Sequence, residues 1–167
     1  LGPTIKILGR NHQFLGVNKA IEAVKDRRQR ERKLGVFWHT QGSGKSYSMV
    51  FFTQKIHRKL GGNFTFLICT DRDDLDGQIY KTFAGCRLVN HDKDPCRASD
   101  GKHLSHLLTE HKSHIFTLIQ KLNQDVNPDI GYTRRDDIIV ITDEAHRTQY
   151  GTLALNMRNA LPNASFI

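Results

Sequence analysis

Cysteine is scarce, and its three representatives, Cys69, Cys86 and Cys96, are odd in number and widely spaced. With no Cys-x-x-Cys pair and no histidine at ligand spacing, they make neither a disulfide framework nor a zinc site, and they fit a reducing cytoplasm. No run of about 18 apolar residues is present for a membrane span, and residues 1–10 lack the pattern of a secretory signal. Internal repeats are also missing. Acidic residues are in the minority, 17 Asp and Glu against 25 Lys and Arg, for a formal charge of +8. Such an excess favours polyanionic partners through phosphate neutralisation and steering, but a solvated basic surface has the same composition.

What is present suits one soluble globular domain: 167 residues, 38% hydrophobic and 25% charged, with apolar positions spread along the whole length. Periodicity places a helix capped by Asn18 through Ala20, Ile21 and Val24, ending in the solvated cluster 25–33. A short buried strand is expected over 34–38, which would put Phe37 and Trp38 in the core. A helix over 45–60 ends at Gly61 and Gly62. Strands are expected over 64–69, weakly over 87–89, and over 114–119, 138–142 and 164–167; helices over 73–83, 103–111 and 152–161. Residues 90–102 have no apolar period and are assigned to a loop, and 123–135 are turn-rich. The β-branched run 138–142 is of the kind that a parallel sheet buries on both faces. Strands alternating with helices imply an α/β fold, a parallel sheet with helices on both faces, whose ligands bind at the strand carboxyl ends.

Two motifs fall at such ends. Thr40-Gln41-Gly42-Ser43-Gly44-Lys45-Ser46 follows one expected strand and opens a helix, so its backbone NH groups can curl around phosphate at the positive end of the helix dipole. Gly42 and Gly44 permit the curvature. Lys45 would reach the β and γ phosphates, and the Ser46 hydroxyl would ligate magnesium. The full pattern has a glycine where this chain has His39, so the strict form is not met. After the run 138–142, Asp143 can hold magnesium through water, and Glu144 can orient or deprotonate the attacking water. An isolated Asp-Glu pair is more often a solvated turn, and only its coupling to Lys45 favours the site. The charged turn 71–74 and the nine histidines, taken singly, read as surface or core.

Asp143-Glu144-Ala145-His146, about a hundred residues after Gly44-Lys45-Ser46, resembles the paired motifs of superfamily-two helicases and translocases. More closely, residues 39–46, 70–78 and 142–151 resemble the motor of the type I restriction enzyme R subunit, and the likeness spans nearly the whole chain. The resemblance implies a RecA-like P-loop NTPase lobe, with ATP and Mg2+ as cofactors, Gln13 reading the adenine, and Lys45, Asp143, Glu144 and His146 catalytic. It also implies that Arg72 and Gln78 in the first DNA-contacting motif, and Thr117 and Lys121 in a later one, touch the backbone of double-stranded DNA. By the same resemblance the chain is expected to be a single motor lobe truncated before the next motif. The second lobe and the nuclease domain with its residues would lie outside it, and its ATPase activity alone would be weak. The parent would be an ATP-driven DNA translocase that acts in restriction of foreign DNA, beside modification and specificity subunits.

Two other readings stay open at this point. One is a superfamily-two DNA or RNA helicase or remodeller; the other is a module that binds nucleotide or DNA without hydrolysis, against which Glu144 argues. The role of 90–102 and 123–135, as DNA-facing loops or insertions, also stays open.

Overall fold

The computed structural model describes residues 4–40, 42–89, 96–123, 130–143 and 150–167, with the backbone alone at 123 and 150–153. Helices α1 (Asn11–Lys25) and α2 (Lys45–Lys59) precede strand β1 (Thr65–Thr70). Then follow α3 (Asp73–Gly85), α4 (Gly101–Thr109), β2 (His114–Leu118), a 3-10 turn (Ile119–Asn123), β3 (Ile138–Thr142), α5 (Tyr150–Ala160) and β4 (Ser165–Phe166).

The strands form one parallel sheet in the order β2-β1-β3-β4, with Phe66 opposite both His114 and Ile139, and Val140 opposite Phe166. Because successive side chains leave a strand on opposite faces, each strand feeds two cores. Phe66, Ile68, Phe116, Ile139 and Ile141 pack with α1, α2 and α3 on one face. Leu67, Ile115, Ile138 and Val140 pack with α4, α5 and the 3-10 turn on the other. The expected α/β architecture is therefore present, and the apolar run of β3 is explained by burial on both faces. No helix among the described residues is long and apolar enough to cross a membrane.

Several local expectations are corrected. Asn18 does not start a helix; it lies inside α1, which opens at Asn11. The Arg10 backbone N–H donates to Gln13 Oε1 at 2.8 Å, so the first turn is capped from within, and Asn18 instead accepts a bond from Lys55. Residues 34–38 are not a strand. Arg32 and Leu34 pair with Phe166 for one step, then Gly35 at φ +122° takes the chain out of extension. Trp38 is accordingly 80% exposed rather than core, while Phe37 is partly buried. Residues 87–89 are not a strand either: Arg87, at φ +58°, and Leu88 donate back to Ala84 and Phe83 and close α3.

The expected loop 90–102 is also revised where it is described; residues 90–95 lie outside the described residues. Phe116 N–H donates to Cys96 O and Ala98 N–H to Phe116 O, so 96–98 lies along the free edge of β2, held by the burial of Cys96 and Ala98. Asp100 then caps α4 by accepting from His103 N–H at 2.9 Å. In the turn-rich stretch, residues 124–129 lie outside the described residues, and Arg135 within it is an anchor at the opposite, amino end of the sheet. Its guanidinium donates to Asp137, Thr65 and the carbonyls of Leu108, Glu110 and Asn63.

Candidate phosphate-binding site

Two backbone facts shape the loop before α2. Gly42 and Gly44 both take positive φ, +76° and +88°, a conformation that side-chain-bearing residues adopt at a cost. Ser43 closes the turn, its N–H and its hydroxyl both donating to Thr40 O, at 3.1 and 2.6 Å. Lys45 is the first residue of α2, and the half-buried Ser46 follows it, so the orphan N–H groups of the first turn and the positive end of the dipole meet at this point.

His39, the departure from the glycine pattern, is built into the loop. Its Nδ1 lies 2.8 Å from Ser43 Oγ. Since the single Ser43 hydroxyl proton goes to Thr40 O, the imidazole must donate here, which fixes the proton on Nδ1. The ring stacks on Phe37 at 4.6 Å, and Phe37 in turn covers Gly16 of α1 so closely that a Cβ there would lie 2.2 Å from the ring. Burial first, and then the neighbouring His12 and Lys45, hold the His39 pKa below its ordinary value.

Gln13 meets the loop from α1. It is buried, and its Nε2 donates to Gly44 O at 2.9 Å while its Oε1 accepts from Arg10 N–H. Across the sheet, Asp143 stands at the end of β3, its N–H held by Cys69 O of β1 at 3.0 Å. Its buried carboxylate accepts from Lys45 Nζ at 2.6 Å. A hydroxyl at Ser46 and a carboxylate at Asp143 are hard oxygen donors of the kind magnesium takes beside phosphate oxygens and water. The structure therefore brings Gln13, Thr40, Gly42, Ser43, Gly44, Lys45, Ser46 and Asp143 to one end of the sheet. Gln41, Glu144 and His146 lie outside the described residues.

The residues expected on DNA divide differently. Arg72 and Gln78 are exposed, at the cap and on the surface of α3. Thr117 is buried, its hydroxyl donating to Leu118 O at 3.2 Å, and the half-buried Lys121 donates to Ala98 O at 2.7 Å. Thr117 and Lys121 line a cavity of about 200 Å³ beyond the end of β2, together with Asp73, Asp76, Arg97 and Ser99. Sequence reasoning missed Arg97, which pairs with the buried Asp76; its contact is made through the edge pairing of 96–98, for which neither periodicity nor motif gives a signal.

Comparison with known proteins shows the family. The SWI2/SNF2 ATPase family matches residues 12–167. The endonuclease subunit of the type I restriction enzyme HindI from Haemophilus influenzae is 40% identical over 100% of this chain and 18% of its own length. A putative type I restriction enzyme endonuclease subunit, MjaIXP, from Methanocaldococcus jannaschii is 37% identical over 97% of this chain and 16% of its own. That of SsaAORF53P from Staphylococcus saprophyticus is 27% identical over 88% and 16%. The chain thus spans less than a fifth of the length of these relatives.

Proposed function

Because this chain belongs to the SWI2/SNF2 ATPase family, we propose that it is the nucleotide-binding motor lobe of a type I restriction enzyme endonuclease subunit, which hydrolyses ATP to move along double-stranded DNA. The observation that carries the reading is the meeting of Lys45 and Asp143. These residues are 98 positions apart, and their contact joins the glycine loop to the acidic strand end.

In this reading the N–H groups of the loop and of the first turn of α2 hold the phosphates, and Lys45 follows the charge on the β and γ groups. Ser46 and Asp143 would hold magnesium, which neutralises phosphate charge. Asp143 is kept in place by its backbone bond to Cys69, and Gln13 and His39 stiffen the loop from two sides. Gln13 would meet an adenine with the second N–H and the second oxygen lone pair of its amide, which its two present bonds do not use. Glu144 would activate the attacking water and His146 would couple hydrolysis to movement, roles that rest on the family resemblance. Hydrolysis in such motors draws on groups from two lobes, so the chain alone should turn over ATP feebly. The parent would work with modification and specificity subunits, and contacts from this lobe to DNA would be to phosphates, positioning without reading bases.

Calorimetry with Mg-ATP tests the reading. Lys45→Ala should weaken binding about 10- to 100-fold, the loss of one charge-assisted contact. A folded chain that binds Mg-ATP no better than Lys45→Ala does would overturn it.

A further inference from the structure

Beyond β2 the carboxyl end of the sheet carries a second polar concavity, distinct from the phosphate loop, and its most exposed cation is one that motif reasoning did not nominate. Arg97 sits on the segment pinned to the edge of β2, with Phe116 bonded on either side of it to Cys96 and Ala98. Its guanidinium is fixed by two unlike contacts. Nη2 donates to Asp76, whose side chain is only 6% exposed, and the plane lies 5.1 Å from the centre of the Tyr80 ring. Both partners come from α3, one turn apart.

The depth of the two charges differs. Asp76 lies at the floor, whereas the Arg97 side chain is 44% exposed at the rim. One nitrogen of the fork is used on Asp76, and the Nε and Nη1 protons have no hydrogen-bond partner among the described residues. Lys121, on the same wall, donates one of its three protons to Ala98 O, and the other two have no partner among the described residues. An approaching surface thus meets a held, planar, permanently charged donor beside a mobile ammonium, the pairing suited to successive phosphodiesters.

We infer that Arg97 is a phosphodiester anchor for duplex DNA and that Asp76 is its positioning residue, the inference resting on the proposed DNA-translocating function. Thr117, expected from the sequence to touch the backbone, is buried with its proton already donated, and serves as wall. An acid in a DNA-facing cavity would repel phosphate if left alone. Paired at depth with Arg97 and aiming it outward, Asp76 instead converts a flexible side chain into a preorganised contact.

The test is binding of a labelled duplex oligonucleotide by fluorescence anisotropy over a salt series, with folding of each variant checked by thermal melts. Arg97→Gln should bind about tenfold more weakly and flatten the dependence of log K on log[salt] by about 0.9, the counterion released by one phosphate contact. Arg28→Gln, an equal loss of charge beside Asp136 ahead of β3, should leave the slope unchanged. Asp76→Asn is the decisive variant: removing an acid near a polyanion should tighten binding if only charge matters, but weaken it if the acid orients Arg97. Tighter binding by Asp76→Asn, or an Arg97→Gln slope equal to that of the unaltered chain, overturns the inference while leaving DNA binding intact. Absence of salt-sensitive binding by the unaltered chain would overturn the DNA reading and this inference with it.

Discussion

Lys45 Nζ and Asp143 Oδ1 lie 2.6 Å apart, with the carboxylate buried and the ammonium partly open. One acid therefore faces the cation that would hold phosphate and the position where magnesium would sit. Asp143→Asn keeps the shape and removes the charge. Magnesium should raise the ATP affinity of the unaltered chain by at least tenfold more than that of the variant, measured by calorimetry with and without the metal. Equal magnesium enhancement in both would remove Asp143 from the metal site.

The two loop glycines should respond unequally to alanine. Both have positive φ, which costs a side-chain-bearing residue about 1–2 kcal/mol. At Gly42 a Cβ meets nothing within 4 Å among the described residues, whereas at Gly44 it would lie 3.0 Å from Gln13 Nε2, the atom that bonds the Gly44 carbonyl. Gly44→Ala should thus lower the melting temperature further than Gly42→Ala and cost more nucleotide affinity. Indistinguishable melts and affinities would mean that Gln13 does not brace the loop.

What could be read in the sequence depended on the range of the forces at work. The run 138–142 and the helix from Lys45 to the glycines at 61 and 62 are local signals, a β-branched stretch and a periodic face with a stop, and both elements are present. The turn before α2 and the place of Asp143 were legible because two glycines mark the one and the end of a β-branched run marks the other. Residues 34–38 looked like a strand because they are apolar, but Gly35 sets the backbone and Trp38 faces solvent. Residues 96–98 looked like loop because two buried side chains make no period, and their partner is Phe116, far along the chain. The start of α1 was misplaced because Gln13 caps it through its side chain, which propensity does not register.

Arg135 should be worth more to the fold than its place in a turn-rich stretch suggests. It ties the end of α4, the approach to β1 and Asp137 through five acceptors, with its side chain only 15% exposed. Arg135→Met should lower the unfolding free energy by about 2–4 kcal/mol in urea titration, since several acceptors lose a charged donor together. Arg135→Lys should recover less than half of that, because an ammonium cannot span a fork. Full recovery by lysine would mean that charge alone matters here.

Stability should fall in mild acid because of a buried histidine. His114, at the start of β2, stacks on Phe66 at 5.6 Å, meets Phe83 edge-on at 5.3 Å and faces His57 at 5.9 Å. Neither of its ring nitrogens has a hydrogen-bond partner among the described residues, and His57 Nε2 has none either. Burial first, and then the charge of His57, push the His114 pKa down from 6.5 to about 4. Between those values the unfolded chain holds a proton that the native ring refuses, so stability rises with pH across the window. It is complete above the unfolded pKa and is lost as the pH falls toward 4, by on the order of 3 kcal/mol for this group. Burial lowers the His57 pKa as well, which adds in the same direction. Urea titrations of the unaltered chain and of His114→Leu between about pH 7 and pH 4.5 separate this term from the carboxylates. The variant should lose markedly less stability over that interval, and an unchanged slope would show that His114 takes up its proton without opening the core.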